Sequence, residues 1–198
     1  MGCAPDNKSC GNDAKPAHPV TISKGFFMGQ TEVTQEAYIR VAGTNPSQFI
    51  GKQRPVENVN WNQASTYCES IGGRLPTESE WEYAARAGTT EDRYGELDAI
   101  SWYATNSGDK THEVKGKKPN AWGLYDMLGN AWEWVAGFWD PKYPYDAVID
   151  PQGPPSGQGR SMRGGSYKYR EWGSQASSRY FVGPPPNGGA IGFRCIVQ

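Results

Sequence analysis

Long apolar runs are missing from this 198-residue chain. None approaches the ~20 residues that a membrane-spanning helix needs. Histidine is scarce, with only His18 and His112, and no Cys-x-x-Cys occurs. A zinc site wants clustered thiolates and imidazoles, so the sequence argues against one. An excess of one charge is lacking too: 20 Lys+Arg meet 21 Asp+Glu, for a formal net charge of −1. There is no electrostatic case for a nucleic acid or an anionic membrane as partner. No Gly-x-Ser-x-Gly elbow is present, so Ser166 and the lone His112 do not make a hydrolase triad. Internal repeats are absent as well.

What is there is aromatic and turn-forming: 8 Trp, 11 Tyr, 25 Gly and 15 Pro. The length fits one domain, residues 1–198, with a real core. Dense, evenly spread aromatics beside so much Gly and Pro indicate a loop-rich fold held by aromatic packing. Four cysteines, Cys3, Cys10, Cys68 and Cys195, are an even count. That favours disulfides and an extracytoplasmic setting over buried reduced thiols. A Cys3–Cys10 bridge would restrain the polar first residues.

Local signals sketch an α+β chain with short helices, small antiparallel sheets and high loop content. Residues 20–22 and 26–29 read as short strands. Thr34 reads as an N-cap for a helix stopping at Gly43, with Tyr38 and Val41 facing the core. Asn60 with Gln63, and Thr77 with Glu80, are capping boxes that open two further helices. Trp81, Ala84 and Ala85 form an apolar stripe on the second. Residues 89–118 read mostly as loop. Trp132-Glu133-Trp134 alternate as on a strand, both indoles packed inward. Residues 140–159, with five prolines, read as a long surface excursion.

The most irregular stretch lies between Arg163-Gly164-Gly165-Ser166 and Gly192-Phe193-Arg194-Cys195. It follows no periodic pattern. Tyr167, Tyr169, Arg170, Trp172, Ser174, Ser178, Tyr180, Phe181 and Val182 lie in it. Aromatics, Arg and Ser on a loop in a rigid frame suit a ligand-binding surface, here residues 167–190.

These two signatures do not stand alone. Met28-Gly29, Glu32-Val33-Thr34, Arg54-Pro55-Val56, Arg74-Leu75-Pro76-Thr77-Glu78-Ser79-Glu80-Trp81-Glu82-Tyr83, Gly123-Leu124-Tyr125-Asp126-Met127 and Gly129-Asn130-Ala131-Trp132-Glu133-Trp134 accompany them in order. Together they resemble the formylglycine-generating enzyme, or sulfatase-modifying factor, family over nearly the whole chain. The resemblance implies a C-type-lectin-like fold of that family's subclass, with upstream residues missing before Met1-Gly2. It also implies a Cys68–Cys195 bridge, and a structural Ca²⁺ held by Asn130 and Glu133 through oxygen ligands.

The family's oxidases bind Cu(I) through two cysteines about three and eight residues after the Gly-Gly-Ser. Here those places hold Tyr169 and Ser174, which offer no thiolate for a soft metal. The departure implies no copper, and leans against an enzyme. The variable proteins of diversity-generating retroelements share the fold and diversify this segment, chiefly at Asn codons. Tyr169, Arg170, Gly173, Ser174, Ser178, Tyr180, Phe181, Val182 and Gly183 are reachable from such codons; Lys168, Glu171, Trp172 and Gln175 are not. Three readings stand open: a non-catalytic module binding a protein or surface ligand, an enzyme using non-copper chemistry, or a structural extracytoplasmic domain.

Overall fold

Each of the three helix-start signals is used. In the computed structural model, which describes residues 1–4, 7, 10–183 and 189–198, α1 spans Gln35–Ala42. The Thr34 side chain accepts from the Ala37 N–H, and Gly43 closes the helix at φ 72°. Two complete capping boxes open α2, Trp61–Ser70, and α3, Glu78–Arg86. Glu80 of the second box also receives a two-pronged contact from Arg74 at 2.7 and 2.8 Å. Trp81, Ala84 and Ala85 are buried, and the small residues let α3 lie against the sheet. Two local expectations change. Val41 is exposed, because the buried side of α1 is Gln35 and Tyr38. A one-turn helix, α4, occupies Leu97–Ile100 in the stretch read as loop.

Among the described residues, β1 is Val20–Thr21, β2 Phe27–Met28, β3 Trp132–Phe138, β4 Val148–Ile149, β5 Arg160–Arg163, β6 Arg179–Val182, β7 Ile191–Gly192 and β8 Ile196–Val197. The main sheet runs β6-β5-β3-β7. Its β3·β7 pairing is parallel, as is β1·β4, while β2·β8 is antiparallel. The 163–192 stretch is thus not wholly aperiodic. Its strand β6 shows no alternation in the sequence because Arg179, which should face water in a simple pattern, is buried on Glu78.

The core gathers Tyr38, Tyr67 and Phe193, whose ring centres lie 5.3–6.2 Å apart. Cys68 of α2 is bonded to Cys195 with their Cα atoms 5.5 Å apart, and Cys3 to Cys10 at 5.9 Å. A second brace is electrostatic. Arg194, fully buried, donates to both carboxylate oxygens of Glu133 at 2.8 and 2.7 Å. The indole N–H of Trp81 donates to the same carboxylate at 2.7 Å. One β3 side chain therefore joins α3 to the end of the chain.

Candidate functional site

The irregular segment starts at a turn that only glycine fits. Gly164 and Gly165 have φ of 95° and 81°, and a Cβ on Gly165 would stand 2.6 Å from the Gly173 carbonyl. From there the segment divides between core and surface. Tyr167 goes inward. Its N–H donates to the Asn130 carbonyl at 2.9 Å, and its ring meets Phe49 edge-on at 5.4 Å. Ser174 is also fully buried, its hydroxyl 3.0 Å from that of Ser101. Both were expected at the ligand surface, and neither is there. A tight 3-10 turn at Glu171–Gly173 swings the chain back inside at Ser174.

The outward residues form a connected aromatic face. Tyr169 packs edge-on against Trp132 at 5.2 Å, against Trp172 at 5.8 Å and against Tyr180 at 6.1 Å. Tyr180 in turn lies flat over Trp132 at 5.9 Å. Trp132 is buried and makes the floor; Trp172 and Tyr180 remain 47% and 43% exposed. Arg170 is exposed beside them, and Ser178 is half-buried. Trp172 also borders a groove of about 880 Å³ carrying Glu91, Glu96 and Glu171. Burial holds the Tyr169 hydroxyl above the usual tyrosine range, with the neighbouring Tyr180 adding to it.

Strand parity splits the rest of the expected set. Tyr180 and Val182 share one side of β6, with Val182 against the core cluster that contains Trp132. Phe181 is on the other side, stacked on Trp139 at 4.2 Å. The expected surface of residues 167–190 thus reduces to Tyr169, Arg170, Trp172 and Tyr180, with Val182 at its border. Residues 184–188 of that range lie outside the described ones. Trp132 is core, as its alternation with Trp134 predicts, and floors the face as well. Its part in the face depends on the pairing of β3, β5 and β6, and short-range sequence carries no sign of that.

Replacing Tyr180 with Ser should change folding stability by less than about 1 kcal/mol, since β6 is an edge strand and the ring is half in solvent. Urea unfolding measures it. A loss of several kcal/mol would make the face part of the core.

Asn130 and Glu133 do not converge on a shared oxygen-lined site. The Asn130 carboxamide donates to Glu32 at 2.8 Å, and its oxygen accepts the His112 N–H at 2.8 Å. Glu133 is taken by Arg194 and Trp81. These side chains do not fit the Ca²⁺ expected of them. Among the described residues there is no group of three His, Cys, Asp or Glu placed to hold a metal ion.

The same region holds two buried carboxyls, Glu32 and Asp126. Burial, then the charges of Asp126 and Glu133, push Glu32 well above the carboxylate range. Burial pushes Asp126 up to about 6. An unfolded aspartate titrates near ~3.9. The folded state therefore holds this proton more tightly, and stability is lost as pH rises from about 4 to about 6. Asp126→Asn should remove that dependence. Its stability advantage over the wild type should grow by about 2 kcal/mol across this window and then level off. Urea unfolding at a series of pH values checks it; an unchanging difference refutes the assignment.

A family model described as "Sulfatase-modifying factor enzyme 1-like domain" matches residues 1–198. The formylglycine-generating enzyme of Bos taurus is 36% identical over 164 residues, covering 73% of this chain and 44% of that protein. The chain spans about half the length of the curated relatives it matches. Among solved structures, Treponema denticola variable protein 1 superposes with a TM-score of 0.87 at 34% identity, over 91% of this chain and 87% of that one. PvdO from Pseudomonas aeruginosa gives 0.86 at 25% identity, over 99% of this chain and 89% of that one.

Proposed function

Since the chain belongs to the sulfatase-modifying factor family, with its C-type-lectin-like α+β fold, we propose that it uses this scaffold as an extracytoplasmic binding module. Its ligand is a protein or a surface, and its contact face is Tyr169, Arg170, Trp172 and Tyr180 over Trp132. The connected, half-exposed aromatic face carries this reading. Tyr and Trp give large contact area at small rotamer cost, and an exposed aromatic cluster is a liability unless something covers it. Tyr169 and Ser174 stand where the family's copper oxidases carry their thiolates, and Ser174 is sealed against Ser101. The two disulfides support an oxidising location.

The likeness to a variable protein supports the finer reading, that this face is diversified by a retroelement. Deep sequencing of the gene's 3′ end across a population tests it. Substitutions should concentrate at the first two bases of the codons for Tyr169, Arg170, Tyr180, Phe181 and Val182, which are adenines in an Asn-codon template copy, and spare the codon for Trp172. An even spread along the gene would remove diversification. Aldehyde formation from a cysteine peptide, in the presence of copper and oxygen, would remove the non-catalytic reading itself.

A further inference from the structure

Most of the chain's inward-facing arginines are paired with carboxylates: Arg74 with Glu80, Arg86 with Glu82 and Asp92, Arg163 with Glu82, Arg179 with Glu78, Arg194 with Glu133. Arg160 is different. Its two flat faces are covered by aromatic rings, Trp61 at 3.6 Å and Phe138 at 3.7 Å from the guanidinium carbon. Among the described residues its N–H edge donates to no protein acceptor and pairs with no carboxylate. The plate is also well fixed. The backbone of Arg160 is in register with Phe138 on one side and Val182 on the other. Trp61 is pinned by its indole N–H, which donates to the Val135 carbonyl at 2.8 Å.

The unspent edge belongs to a cleft of about 260 Å³ lined also by Asn60, Asn62 and Gln158, and no Asp or Glu lines it. A stacked guanidinium with a free edge is the donor half of a two-point oxyanion contact. Rings on both faces hold its plane, so little freedom is left to lose when an anion arrives. The start of α2 opens on the same cleft, and its partial positive charge has the right sign.

We propose that this cleft is an oxyanion site, in which the Arg160 fork clasps two oxygens of a phosphate or carboxylate group on a ligand. It rests on the setting of Arg160 and stands independently of the aromatic face, although Val182 of β6 lies beside both.

Nitrogen-15 NMR of the folded chain tests it, with inorganic phosphate or acetate titrated at pH 7 and constant ionic strength. Saturable shifts should appear at the Arg160 Nε–H and at the Trp61 and Asn62 amides. The tighter of the two anions names the source, phosphate-bearing or carboxylate-bearing. Arg160→Lys keeps the charge but loses the planar fork, and should weaken binding about 10-fold or more. Asn62→Asp, an exposed change where an acid suits the helix start, should weaken it by repulsion without unfolding the chain. Linear shifts reproduced by sodium chloride would overturn the site, as would undiminished binding by Arg160→Lys. Arg160 would then be only a cover for its two rings.

Discussion

Removing the Cys68–Cys195 bridge is expected to cost on the order of 4–5 kcal/mol, from the entropy returned to the unfolded chain. The two cysteines are 127 residues apart, so the unfolded chain regains a very large loop. In the folded state Cys68 is fully buried in α2 and Cys195 sits between β7 and β8. Cys68→Ala with Cys195→Ala avoids leaving a lone thiol. Deleting Cys3–Cys10, with a separation of 7, should cost about 2–3 kcal/mol in the same model. Chemical unfolding of both double variants measures the order. A long-loop variant as stable as the wild type, or a reversed ranking, would refute this account of how the last residues are held.

The second large effect is at Glu133. Glu133→Ala should cost about 3–5 kcal/mol, because it leaves the Arg194 charge buried without a partner. It also strands the Trp81 indole N–H, which now donates to that carboxylate. Much of this is the cost of an unpaired charge and not the net worth of the pair. Glu133→Leu combined with Arg194→Met should therefore recover most of the loss. A double-mutant cycle by urea unfolding separates the two. If the apolar pair is as damaged as Glu133→Ala alone, the ion pair itself is the stabiliser.

The helices were legible because their signals are local. Asn60 with Gln63 and Thr77 with Glu80 sit three residues apart, and each box closes as the sequence predicts. Strand β6 was not, because its inward residue is the charged Arg179, and its partner Glu78 lies 101 residues away. The same distance problem divided the candidate surface. Tyr167 and Tyr169 look alike in sequence. One is drawn in by the Asn130 carbonyl and Phe49, while the other rests on Trp132 in partial contact with solvent. Ser174 is buried because Ser101 can satisfy its hydroxyl. Tyr180 and Phe181 would have been separable by simple alternation, had the strand been recognised. That Asn130 and Glu133 turn to separate partners was not legible for a related reason: those partners, Glu32 and Arg194, come from opposite ends of the chain.

The pairing of β2 with β8, and the seating of β7 against β3, also set an order of events during synthesis. Phe27 is in register with Val197, and Trp132 with Ile191. Strand β3 therefore lacks one neighbour, and β2 lacks its partner strand, until residues 191–197 have left the ribosome. Contacts of such sequence separation form slowly. A nascent chain of this kind cannot complete these two pairings while it grows. It becomes a folded body, and can lock Cys68 to Cys195, only once residues 191–197 are free to return to the strands made first.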